Sequence, residues 1–125
     1  MKLAIVDDNK LEQELIFNTL RTYEHERNIS LDISSYSDGN SFLNTYVPGD
    51  FDLIFMDIYL NELNGIDIVR KIRQMDSKVI IVFLTTSKEY IFEAAPFHFF
   101  DYILKPFEST QIFHVLDDAL ALLPE

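Results

Sequence analysis

Three acids, a threonine and a lysine stand where apolar segments of this chain end, and these residue types could do chemistry together. Phe51-Asp52-Leu53-Ile54-Phe55-Met56 reads as a buried strand that stops on Asp57. Leu3-Ala4-Ile5-Val6 runs into Asp7-Asp8, and Val79-Ile80-Ile81-Val82-Phe83-Leu84 runs into Thr85-Thr86. Lys105 follows the run Phe99 to Leu104 and precedes Pro106. In an open parallel sheet the crevice outside the carboxyl ends of the strands is where ligands bind. If the first and third strands are neighbours, Asp7, Asp8 and Asp57 crowd one edge. Two like charges ~4 Å apart repel by about 4 kcal/mol at an effective dielectric near 20, so something must offset them. Hard oxygen ligands in an open site suit Mg²⁺, which takes one or two carboxylates and keeps several waters. Lys105 adds a point charge and Thr85 a hydroxyl donor. A carboxylate flanked by a metal, a lysine and a hydroxyl is a nucleophile toward phosphorus, with the cations stabilising charge on the transferred oxygens. The product would be an aspartyl phosphate at Asp57.

Whatever positions these residues must alternate strands with helices. From Asn9 to about His25, the residues Leu11, Leu15, Ile16, Leu20 and Tyr23 recur at helical spacing. Asn9 and Glu12 match a capping box at its start. Leu31, Ile33 and Tyr36 fit a second strand. Ser37-Asp38-Gly39 reads as a turn, and Ser41 to Val47 as a short helix. Pro48-Gly49-Asp50 breaks the chain before the Phe51 strand. Asn64-Gly65 ends a polar loop, and Ile66, Val69 and Ile72 mark a third helix. Val79 to Leu84 lacks alternation, as in a strand buried on both faces. Ser87 to Ala95 reads as a helix stopped by Pro96, Phe99 to Leu104 as a fifth strand, and Phe107 to Leu123 as a last helix. The result is α/β: a (βα)₅ unit with a doubly wound, five-stranded parallel sheet.

Composition bounds the rest. The 125 residues predict one domain over 1–125, and any C-terminal output domain would lie outside this chain. A hydrophobic fraction of 48% and a charged fraction of 25% are ordinary for a globular protein. With no cysteine, neither a disulfide framework nor a thiolate metal site is available, which fits a reducing compartment. No apolar run is long enough to span a membrane, and the acidic start is unlike a signal peptide. A formal net charge of −11 opposes binding to phosphate backbones, so no direct nucleic-acid binding is expected. The three glycines form no phosphate-cradling loop, and the histidines fit no zinc spacing.

Each element alone has an ordinary reading: Asp7-Asp8 as a turn or cap, Lys105 as a surface lysine, Thr85 as a β-branched strand residue. Taken as a set, in this order along the chain, Asp7-Asp8, Asp57, Thr85 and Lys105-Pro106 resemble the response-regulator receiver domain, the phospho-acceptor half of two-component signalling. The likeness covers essentially the whole chain. Phe99 to Phe107 looks most like receivers of LytTR-type transcriptional regulators. The resemblance implies a flavodoxin-like receiver fold and assigns roles. Asp57 would be phosphorylated by a sensor histidine kinase. Asp8, Asp57 and the backbone carbonyl of Tyr59 would ligate Mg²⁺, with Asp7 acting mainly through water. Thr85 and Lys105 would bind the phosphoryl oxygens, and the Lys105–Pro106 peptide would be cis. Tyr102 would change rotamer as Thr85 moves. It further implies a cytoplasmic switch, not an enzyme that turns over a metabolite. A homodimer through the face of the fourth helix, fifth strand and fifth helix would control the output.

Two departures stand out. Thr86 occupies a position where many receivers carry Ala or Gly, and Tyr59 is large. Both predict a shielded, long-lived phosphoryl group. Pro96 and the aromatic crowd of Phe92, Phe97, Phe99 and Phe100 mark the fourth helix as unusual. Two other readings compete. A Mg²⁺-dependent phosphohydrolase with an aspartyl nucleophile commonly carries a second acid where this chain has Tyr59. A pseudo-receiver binding module would have lost site residues that are all present.

Overall fold

Short β-branched and aromatic runs make the strands of this chain, and polar turns separate each from the next. A computed structural model describes residues 1–60 and 63–123. The order is β1 Lys2–Val6, α1 Lys10–Arg27, β2 Asp32–Tyr36, α2 Gly39–Thr45, β3 Leu53–Met56, α3 Gly65–Arg73, β4 Ile80–Thr85, α4 Ile91–Ala94, a 3₁₀ turn Ala95–Phe97, β5 Asp101–Leu104 and α5 Ser109–Leu122. All neighbouring strands pair in parallel, in the order β2-β1-β3-β4-β5. The expected doubly wound architecture is therefore observed.

Alternation along each strand sorts side chains between two cores. Leu3, Ile5, Leu53, Phe55, Val82, Leu84 and Ile103 pack with Ile16, Leu20 and Tyr23 of α1 and Ile112, Val115 and Leu116 of α5. Ala4, Val6, Ile54, Met56, Ile81 and Phe83 pack with Phe42 of α2 and Ile66, Val69 and Ile72 of α3. All four residues of β3 are buried, as its continuous apolar run requires. Strand order reverses between β1 and β3, since β2 lies outward on one side and β4 and β5 on the other. That is the switch point at which such sheets open a crevice.

Several boundaries differ from the expectation. In α1, Leu11 and Leu15 are exposed, and Gln13 takes a place on the buried face with Ile16, Leu20 and Tyr23. The Gln13 amide explains the rotation: it donates to the Asp7 carbonyl and, at 2.9 Å, to Ser37 Oγ. A polar side chain is buried there because it satisfies groups at the ends of two strands. The α2 helix begins at Gly39, capped by Asp38, so Ser37-Asp38 alone is the connection. The fourth helix is one turn, Ile91–Ala94, where Ser87 to Ala95 was expected. Ser87 Oγ accepts from the Glu89 N–H at 3.1 Å and closes a local turn instead. Pro96 sits inside the following 3₁₀ turn, where its missing N–H ends α-helical bonding. Arg73 then holds the exit, donating to the carbonyls of Phe97 at 2.7 Å and His98 at 2.9 Å. Strand β5 starts at Asp101, two residues later than expected, and α5 at Ser109.

Candidate functional site

The ends of β1, β3, β4 and β5 bring Asp7, Asp57, Thr85 and Lys105 to one edge. Their backbones stay in the ladder: Asp7 N–H donates to Tyr36 O at 3.0 Å, Asp57 N–H to Val6 O at 3.0 Å and Lys105 N–H to Thr85 O at 2.8 Å. The side chains therefore project from a rigid frame. Asp7, Asp57 and Lys105 continue the parity of Ile5, Phe55 and Ile103, the face covered by α1 and α5. Thr85 continues the parity of Ile81 and Phe83, on the other face.

Burial makes the charges consequential. Asp7, Asp57 and Thr85 are buried, and the Lys105 side chain is only 7% exposed. Lys105 Nζ donates to Asp7 Oδ2 at 2.8 Å and to Glu12 Oε2, and stands 3.6 Å from Asp57 Oδ2. The last distance is beyond a hydrogen bond. Asp7 Oδ1 accepts from the Asn9 N–H at 2.9 Å, and Asp57 Oδ1 from the Tyr59 N–H at 3.2 Å. Burial pushes the Asp57 carboxyl up to about 6, against the opposing pull of Lys105; Asp7 and Glu12 push the same way as burial. For Lys105, burial favours the neutral amine, but the bonds to Asp7 and Glu12 and the charge of Asp57 outweigh it and raise the ammonium above its ordinary range.

Carboxylate oxygens of Asp7, Glu12 and Asp57 lie within 4.8 Å of one another. Among the described residues this is the group of acids so placed, and Asp8, half-buried, is not in it. Formal charges of −3 from these acids and +1 from Lys105 leave −2 in the cleft, so the donor set fits a hard divalent cation. Thr85 Oγ1 is buried with no hydrogen-bond partner, the one such side-chain atom among the described residues. A buried hydroxyl left unpaired is costly, and it suits an oxygen supplied by a bound group.

The sequence reading brought together all these residues except Glu12, which it assigned to a capping box. Asn9 does cap α1, accepting from the Glu12 N–H at 3.1 Å, but the Glu12 side chain turns to Lys105 instead. Only its position one turn into the helix after Asp7 signalled this. Tyr59 lies two residues beyond Asp57, 43% exposed, with its hydroxyl donating to Glu89 Oε1 at 3.0 Å and its ring edge-on to Tyr90 at 5.5 Å. Tyr102 packs inward against Phe83 and Phe99, and its hydroxyl donates to Ser87 O at 2.5 Å. The Lys105–Pro106 peptide is cis, as expected.

A family model described as the response regulator receiver domain matches residues 3–117. The protein MrkE of Klebsiella pneumoniae is 34% identical over 93% of this chain and 42% of its own length. The sensory transduction protein LytR of Staphylococcus saprophyticus is 30% identical over the whole chain and 49% of its own. The chain thus spans less than half the length of these curated relatives. The crystal structure of the response regulatory domain of MrkE superposes with a TM-score of 0.82 at 33% identity, covering 97% of this chain and 96% of that one. The response regulator TrrA of Thermotoga maritima, solved in complex with Mg²⁺-BeF, shares the fold with a TM-score of 0.81 at 20% identity, over 94% and 97% of the two chains.

Proposed function

The chain belongs to the response regulator receiver domains of two-component signalling, and on that premise we propose that Asp57 accepts a phosphoryl group from a sensor histidine kinase in a Mg²⁺-dependent reaction. The observation that carries this is the buried pair of Asp57 and Lys105 with the unpartnered Thr85 hydroxyl at the same sheet edge. In the transfer, an Asp57 carboxylate oxygen forms the new O–P bond as the donor's P–N bond to imidazole breaks. Lys105 and Thr85 bind oxygens of the arriving group, each supplying a donor in a site with little water. Asp8, Asp57 and the Tyr59 carbonyl would hold Mg²⁺, with Asp7 acting mainly through water. When bound, the ion neutralises charge that builds on the transferred oxygens.

The phosphoryl group then biases a two-state equilibrium. A hydrogen bond from Thr85 to it favours one arrangement of the loop from Thr86 to Tyr90, and Tyr102 reports that arrangement through its bond to Ser87 O. The readout is a homodimer through α4, β5 and α5, coupled to an output domain of LytTR type in the full-length protein. The domain works in the cytoplasm as a switch; no described helix is long and apolar enough to cross a membrane.

The test adds acetyl phosphate and Mg²⁺ and weighs the intact protein. One phosphoryl group per chain, absent in Asp57→Asn, is the expected result. Rapid multiple turnover of the donor without an adduct would mean a phosphohydrolase, and no reaction with either acetyl phosphate or a phosphorylated kinase would mean a binding module.

A further inference from the structure

Building on the receiver reading, we propose that Glu12 is a positioning residue that holds the Lys105 ammonium away from Asp57 until a phosphoryl group draws it across. Lys105 has three N–H donors and three carboxylates around it. It bonds Asp7 and Glu12 and stays 3.6 Å from Asp57, the residue it would serve. Asp7 and Asp57 both come from strand ends. Glu12 alone comes from a helix, and its side chain pulls the ammonium toward the first turn of α1. That side chain is available because the Asn9 N–H, which a capping glutamate would bind, is already donated to Asp7 Oδ1.

The two competing partners differ in exposure. The Glu12 side chain is 36% exposed and that of Asp57 is 8%. Water can solvate Glu12 when Lys105 leaves, so this contact is the cheaper one to break. Phosphorylation adds negative charge and strong acceptor oxygens at Asp57. The ammonium then has a better partner on the Asp57 side and gives up Glu12. Glu12 thereby sets how much interaction the phosphoryl group must supply before Lys105 engages it.

Beryllofluoride with saturating Mg²⁺ serves as the phosphoryl stand-in, titrated against the wild-type domain, Glu12→Gln and Glu12→Ala. The expected result is binding about fivefold tighter in both variants, the scale of a part-exposed ion pair. In a Lys105→Met background the same Glu12 substitutions should change nothing, because the effect acts through Lys105. A metal-free crystal structure of Glu12→Gln should show Nζ within hydrogen-bond distance of Asp57. Unchanged or weaker binding in the Glu12 variants, or an effect that survives in Lys105→Met, overturns the proposal; weakening in both backgrounds would make Glu12 a metal ligand instead. An Nζ that has not moved toward Asp57 also overturns it. If the wild type takes up neither beryllofluoride nor a phosphoryl group, the phospho-acceptor reading fails, and the metal-free structure still decides the role of Glu12.

Discussion

Asp57 is held in a costly state by its surroundings. Its carboxyl is pushed up to about 6 in the fold, above the ordinary value of 3.8, so folding disfavours its ionised form. The linked stability is present below about pH 4, where the acid is protonated folded or unfolded, and is lost as pH rises through about 6. In EDTA, Asp57→Asn should therefore be more stable than wild type at pH 7.5, by up to about 3 kcal/mol for a shift near two pH units, and melt at a higher temperature. Thermal denaturation across pH should show the gap closing between about pH 6 and 4, and Mg²⁺ should stabilise the variant less than the wild type. An equal or lower melting temperature for Asp57→Asn in EDTA would mean the acids do not strain the fold. Tyr59 makes a second prediction at this scale. Its ring and hydroxyl tie the loop after Asp57 to Glu89 and Tyr90. Tyr59→Ala should admit attacking water and shorten the phosphoryl lifetime about fivefold, or on the order of 1 kcal/mol in barrier. Phosphate release after removal of the donor measures it, and Thr86→Ala should act in the same direction.

At the scale of elements, the turn from β3 into α3 is built on a close approach. Gly65 N–H donates to Ile58 O at 2.8 Å, and a Cβ placed on Gly65 would stand 2.0 Å from the Asp57 carbonyl oxygen. The obstacle is backbone, so it cannot rotate aside. Asn64 caps the helix directly before it, accepting from the Ile66 N–H at 2.7 Å. Gly65→Ala should destabilise the domain by about 2 kcal/mol or more, within the range for forced overpacking, and displace the backbone that carries Asp57. Urea denaturation with and without Mg²⁺ tests both parts: a lower midpoint, and a smaller gain from the ion. The short α4 has a related cause. Its neighbours supply the order that its own sequence lacks, through Arg73 on the carbonyls of Phe97 and His98 and Tyr102 on Ser87 O.

For the whole molecule, net charge and exposed aromatics oppose each other. Each chain carries a formal −11, so two copies repel at long range. Phe92 on α4 is 91% exposed and Phe100 37%, an apolar offer on the proposed dimer face. Beryllofluoride with Mg²⁺ should shift the domain toward a dimer in sedimentation experiments. Phe92→Asp should weaken that dimer at least about tenfold, the effect of about 1.4 kcal/mol. Added salt up to about 0.15 M should strengthen it by screening the repulsion. A dimer that forms equally well in Phe92→Asp would place the interface elsewhere.

The sequence by itself determined the fold class and four of the residues at the site edge. Short apolar runs ending in Asp7, Asp57 and Thr85, and the partly buried β5 before Lys105, have the length and composition of strands, and alternation with helical periods makes those strands parallel, so their ends meet. Side-chain parity along a strand is local information, and so it survives in one dimension. Which face of α1 turns inward is not local: Leu11 and Leu15 match the apolar stripe as well as Ile16 does, and the hydrogen-bond needs of Asp7 and Ser37 place Gln13 on the buried face instead. Glu12 is the sharpest case. Its capping pattern with Asn9 is real in the backbone, yet the charge of Lys105, ninety-three residues away, decides where its side chain goes. Local pattern selects the elements, and long-range electrostatics and polar satisfaction, which only the assembled fold defines, select the partners.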